Sequence, residues 1–346
     1  MSKRTRTFLF VATGILVVGL GTGLLASYVN VQGGLVIIGA DGPDELAYVP
    51  ADARVVAYAN VREIMDSELR QKLVQLTGAD SQRGSARFQE ETGIDIERDI
   101  DQVIASVVGD GASAHQGPPL VLVRGRFNDV RIEGAARENG ATPGDYKGKR
   151  VLTAPQVAIA FLEPGLVAVG LPAAVHAAID AKASGASVRG NSELMRLLRD
   201  SDDGNAWAVA SFDALTAGGN LPQELAVQLP AIRWFAVSGH VNGGINGTIR
   251  AETRDEMAAQ DLRQVLQGFV ALARLQTQQQ PAFADLLSSF QLGGTDRTVS
   301  LGFSIPSELI DTLGAMRALR PRAPGSEPGG RTPAPSQPDA PAVPAL

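Results

Sequence analysis

The sequence predicts an α+β protein: two tandem, diverged repeats, each an antiparallel sheet with helices on one face, behind a single N-terminal transmembrane helix. Three observations predict it. A charge-free apolar stretch lies close to the N-terminus. Beyond it, short apolar runs alternate with amphipathic helical segments. Segments of the first half then find echoes, in the same order, in the second half.

The apolar stretch, Phe8 to Val29, is 22 residues without a charge. At about 1.5 Å per helical residue it covers roughly the 30 Å hydrocarbon core of a bilayer. Lys3, Arg4 and Arg6 precede it and the first charge after it is Asp41, so the positive-inside rule keeps the N-terminus in the cytoplasm and exports the rest. The rival is a cleaved signal peptide, which needs a shorter apolar centre and a small-x-small cleavage site; Leu25-Ala26-Ser27-Tyr28 fits that poorly. Gly19, Gly23 and Ser27 place a small residue at every fourth position, the spacing of a helix-packing face and of homodimerisation through the anchor. Glycine is also common in membrane helices for no such reason.

Residues 1–29 are thus read as cytoplasmic stub and anchor, 30–45 as a stalk, 46–200 as the first repeat, 201–320 as the second, and 321–346 as a disordered proline-rich tail. The first repeat opens on RVVAYANVREI (54–64), a strand, then Asn60 as a helix cap, then an apolar helical position. AWAVASFDALT (206–216) repeats this with Asp213. The strand at Val103 resembles the one at Arg233; both end at a glycine turn. The strand and helix from Leu122 resemble those from Gly247. Pro172 and Pro306 each open a helix after a strand, where the missing N–H costs nothing. Three consecutive strands, 149–154, 157–162 and 166–170, are joined by tight turns and so pair antiparallel. In the long helix of the second half, Leu262, Val265, Leu266, Phe269 and Leu272 line one face.

The chemistry is sparse. The net charge is −6, and no basic stripe offers itself to nucleic acid. The chain has no cysteine, which excludes disulfides and thiolate chemistry. His115, His176 and His240 are too far apart in sequence for a helical zinc motif. Asp95, Glu97, Asp99 and Asp101 cluster, but without the glycine and closing glutamate of a calcium loop, and read as a turn leading into a strand. Ser113 and His115 stand outside any nucleophile elbow. No catalytic, cofactor or metal residue is assigned.

YVPADARVVAYANV, FQEETGIDIERDIDQV and the run from YKGKRVLT to PAAVHAAID resemble a family of membrane-anchored bacterial proteins of unknown function, over Leu46 to about Ala183. The resemblance implies a bacterial envelope setting and brings no site residues. The expectation is a single-pass protein of the cytoplasmic membrane, its bulk periplasmic or extracellular. Its expected role is non-enzymatic: binding a protein or envelope component. The alternative is a carrier or sensor of a lipid or other hydrophobic ligand, held between sheet and helices.

Overall fold

The computed structural model describes residues 42–70, 89–90, 92–108, 119–201, 204–217, 232–276 and 286–307. The expected anchor with Gly19, Gly23 and Ser27, most of the stalk, Ser113, His115 and the proline-rich tail lie outside the described residues. Among the described residues no helix is long and apolar enough to cross a membrane.

Among the described residues twelve strands form one antiparallel sheet: β1 (Ala53–Ala59), β2 (Ile100–Val108), β3 (Leu120–Gly125), β4 (Thr142–Tyr146), β5 (Lys149–Ala154), β6 (Val157–Glu163), β7 (Leu166–Gly170), β8 (Ala206–Ser211), β9 (Ile232–Val241), β10 (Ile245–Thr253), β11 (Gln291–Gly293) and β12 (Thr298–Ile305). Their spatial order is β11-β12-β10-β9-β8-β1-β2-β3-β7-β6-β5-β4. The helices are α1 (Val61–Asp66), α2 (Ile96–Asp99), α3 (Asp129–Glu138), α4 (Pro172–Ser184), α5 (Ser192–Arg199), α6 (Phe212–Ala217) and α7 (Glu256–Gln276).

Local chemistry sets the element ends. The Asn60 side chain accepts the Glu63 N–H at 3.2 Å and starts α1. In the second half the cap is Ser211, whose Oγ accepts from the Ala214 N–H at 3.3 Å; Asp213 already sits in the first turn. Pro172 opens α4, and Gly185 closes it in the left-handed conformation, φ 75°. β4 has no counterpart among the expected strands, because Thr142-Pro143-Gly144-Asp145 carries turn residues. It forms an edge strand, where proline's missing donor faces outward.

The sequence suggests a separate sheet for each half, with helices on one face. The structure differs on both points. β1 pairs β8 antiparallel from Val55–Ala210 to Ala59–Ala206, so the sheet runs unbroken across residue 200. In the first half both faces are covered. On one, α4, α5 and the turns around Leu46 and Val188 pack on Ile104, Leu122, Ala160 and Ala168. On the other, Ile132 and Ala136 of α3 pack on Val121, Val123, Ile159 and Val167. Two-sided burial is the physical meaning of the unbroken apolar run Val157 to Leu162, all six of which are buried.

In the second half α7 lies on one face, and on the other, among the described residues, α5 reaches Trp207, Val209 and Ala236. Ala259 and Leu262 of α7 pack on Ile232, Ala251 and Val299, with Phe212, Phe235 and Leu266 around them. The apolar stripe of α7 is only half used, for Phe269 and Leu272 are 48% and 52% exposed.

Candidate functional site

The paired strands put one row of side chains on a single face of the whole sheet. From β5 it runs Val151, Ala160, Ala168, Leu122, Ile104, Tyr58 and Trp207, then Ser238, Thr248, Gly302 and Gln291. The row is apolar or aromatic up to Trp207, where Tyr58 and Trp207 stack at 5.4 Å across the β1–β8 seam. Beyond the seam it is polar. The next row out is polar as well, with His240, Asn246 and Ser304 in register.

Here the sheet holds an open cavity of about 320 Å³. Among the described residues it is lined by Ser238, His240, Asn246, Thr248, Ser289, Gln291 and Ser304, and by Gly239, Gly247, Gly302 and Phe303 between them. Gly247 is required by packing: a Cβ there would lie 2.6 Å from the Phe303 ring. Ser289 closes the edge. Its Oγ donates to the Ser304 carbonyl at 2.9 Å and accepts the Ser304 N–H at 3.0 Å, replacing a neighbouring strand. Besides Phe303, the lining offers hydroxyls, carboxamides and one imidazole, and among the described residues it contains no carboxylate, ammonium or guanidinium. Such a set can exchange hydrogen bonds with a neutral polar ligand.

At the rim His240 faces Glu63 of α1. Burial pushes the Glu63 carboxyl above its ordinary value, against the pull of the His240 charge and a hydrogen bond from Asn205. Asn205 is 3% exposed and pins the start of β8 to the end of β9, donating to the Val241 carbonyl at 3.0 Å and accepting the Val241 N–H at 2.9 Å.

A second cavity, about 290 Å³, opens on the same face where the two halves meet. Ala51, Asp52, Ala53, Arg54, Asn191, Ser211 and Trp234 line it. Asn191 is the N-cap of α5, which is held down by Arg196 on the buried Glu252 carboxylate and by Arg233 on Glu193, 3.2 Å away.

The acidic residues singled out in the sequence have structural employment. The Asp95 carboxylate caps α2 through the Glu97 and Arg98 N–H groups; Glu97 pairs with Arg70, and Asp101 with Arg62. His176 stacks on Tyr146 with ring centroids 3.9 Å apart, and Tyr146 donates to Asp180 at 3.0 Å. Reading the sequence for motifs passes over Ser238, Asn246, Thr248 and Ser304. The signal that finds them is strict alternation in INGTIRAET (245–253) and TVSLGFSI (298–305), polar on one face and apolar on the other, against the unbroken VAIAFL (157–162) of the first half.

No family model and no curated protein matches the chain. Solved structures do. One, described as "Structure of crystal form III of TP0453", has a TM-score of 0.47 at 10% identity over 79% of this chain and 99% of that one. A second, crystal form I of TP0453, has a TM-score of 0.40 at 10% identity, over 80% of this chain and 98% of the other.

Proposed function

We propose that this is a non-enzymatic, membrane-tethered cell-envelope protein whose exported part binds an envelope component on the polar face of β9, β10 and β12. The change along one row of the sheet, from apolar to polar at Ser238, carries the reading. In the first half that face is filled by helices and buried. In the second it presents a hydroxyl- and amide-lined cavity of about 320 Å³, within the roughly 300–1,000 Å³ range of ligand sites. The tether is the charge-free stretch Phe8 to Val29 with Lys3, Arg4 and Arg6 before it; a face of Gly19, Gly23 and Ser27 would pair two anchors.

Duplication is part of the same proposal. Outward from the β1–β8 seam the strand order is β1-β2-β3-β7-β6 on one side and β8-β9-β10-β12-β11 on the other. The echoing segments of the sequence occupy corresponding places in these two orders. Val56 pairs with Val209, its counterpart in the second copy, within the seam, as a two-fold relation between the halves would require. On this reading one copy kept two apolar faces, while the other exchanged one of them for recognition.

The hydrophobic-carrier alternative needs room between sheet and helices. The apolar cavity under α3, lined by Ile100, Phe127, Ile132 and Ile159 among others, is about 20 Å³. That is space for about one water-sized probe and not for an acyl chain.

The test is site-specific photocrosslinking of the full chain in its own membranes, with the crosslinker at Asn246 or Gln291 and, as control, at exposed Val130. Adducts of one reproducible composition at the first two positions support the proposal. Adducts equally abundant at Val130, or none, would defeat it.

A further inference from the structure

The cavity at the meeting of the halves carries a second assignment, on residues separate from the polar cavity of β9, β10 and β12. Ser211 pairs with Trp234, Val55 pairs with Ala210, and Arg54 sits at the irregularity of β1 between Ala53 and Val55, where it lines the cavity together with Ser211 and Trp234. Arg54, Ser211 and Trp234 come from three adjacent strands and meet at this one cavity. The small side chain of Ser211, on the strand between the other two, leaves room for the cavity.

Arg54 is half-buried and makes no hydrogen bond or ion pair with a described residue. This sets it apart from Arg124, Arg196 and Arg233, each of which holds a carboxylate. Asn191 also lines the cavity; its side-chain oxygen is committed to the Leu194 N–H, which leaves its amide N–H groups to donate. Exposed Asp52 stands at the mouth as an acceptor.

A planar, permanently charged fork matches a carboxylate or phosphate. An indole face matches the C–H face of a pyranose ring, and a free amide donor with a carboxylate acceptor matches ring hydroxyls. We propose that this cavity, about 290 Å³, binds an anionic saccharide: one pyranose unit bearing a carboxylate or a phosphate. The anion meets Arg54, the ring lies over Ser211 against Trp234, and the hydroxyls reach Asn191 and Asp52. Asp52 also opposes a second negative charge at the mouth, which restricts the site to one anionic group.

The chain has two tryptophans, and Trp207 is buried in the seam. Trp207→Phe therefore leaves Trp234 as the sole indole reporter. The purified full chain carrying this substitution is titrated with glucuronic acid, glucose 6-phosphate and glucose while Trp234 emission is followed. Saturable change with either anionic sugar, at least about ten-fold tighter than with glucose, is the expected result. Glucuronic acid acting alone would identify a carboxylate site, and glucose 6-phosphate acting alone a phosphate site. Arg54→Gln weakens the anionic sugar about ten-fold and leaves glucose unchanged, because it removes a charge-assisted pair and nothing else. Its thermal transition stays at that of the parent, since Arg54 supports no other described residue. Equal response to glucose, no saturable response to any of the three sugars, or undiminished affinity in Arg54→Gln would each overturn the assignment. Should Trp207→Phe fail to fold, calorimetric titration of the parent and Arg54→Gln decides the same question.

Discussion

Replacing Arg124 by Met should cost stability out of proportion to the contacts it removes. Glu45 sits in the 3-10 turn Asp44–Tyr48 with its side chain only 5% exposed, and Arg124 Nε of β3 reaches its Oε1 at 2.6 Å. The same guanidinium lies 3.4 Å from Glu163, which in turn accepts the Tyr48 hydroxyl at 2.9 Å. Methionine keeps most of the apolar stem and removes the charge, leaving a carboxylate out of water with no cation. At an effective dielectric of about 20, two charges some 4 Å apart attract by about 4 kcal/mol. Breaking a fully buried pair costs about 3–5 kcal/mol. Arg124 is 27% exposed, so water recovers part of that, and about 2–3 kcal/mol is expected. The assay is urea unfolding of the full chain by far-UV circular dichroism, comparing midpoints at constant slope. Adding Glu45→Gln to Arg124→Met should restore at least about 1 kcal/mol, because the uncompensated charge is the main cost. A loss below about 0.5 kcal/mol in the single variant, or strictly additive losses in the double, would refute the reasoning.

Five further outcomes follow from the same geometry. Burial alone would raise the Glu163 carboxyl, but the Tyr48 hydroxyl and Arg124 outweigh it and hold it below its ordinary 4.5, so its contribution is complete above that pH and lost as the pH falls through the lowered value. Burial, aided by Glu163, raises the Tyr48 hydroxyl above its ordinary 10.0, so its contribution is intact below pH 10 and declines above it; unfolding midpoints across pH check both signs. Asn205→Ala strands the N–H and C=O of Val241 and should lose about 2–4 kcal/mol in urea unfolding. Gly125→Ala would put a Cβ 2.1 Å from the Asp99 carbonyl, so it should cost about 1–3 kcal/mol or more, and Ile159→Ala, 1% exposed, about 2–5 kcal/mol; both are read in the same assay.

The strand-rich middle of the first half was readable because its turns are short and its apolar runs unbroken. The sequence places strands at 149–154 and 166–170, where the structure has them, and the third differs by one residue at Glu163. Asn60 was legible as a cap because its role is local. The joining of the halves was not legible. Nothing in AYA (57–59) or AWA (206–208) says that Tyr58 will lie against Trp207, because pairing between distant strands is settled by the packing of the whole sheet. β4 was hidden by its turn residues. The cavities escaped motif reading because their residues come singly from several strands, with spacing set by register and not by sequence. The alternation in β10 and β12 did carry the polar face, though it becomes informative only beside the unbroken runs of the first half.

The β1–β8 seam also constrains the order of assembly. β1 is the earliest of the twelve strands along the chain, yet it lies near the middle of the sheet and bonds on one side to β8, with Val55 against Ala210. Closing that contact means joining residues roughly 150 positions apart, a loop whose entropic cost falls due before its enthalpy is gained. Until the second half arrives, β1 presents an open edge carrying Val55, Ala57 and Ala59, a template for unwanted association. A nascent or truncated chain ending before β8 is therefore the species most in need of a chaperone, and closure of the seam should wait on the synthesis of β8, Ala206–Ser211.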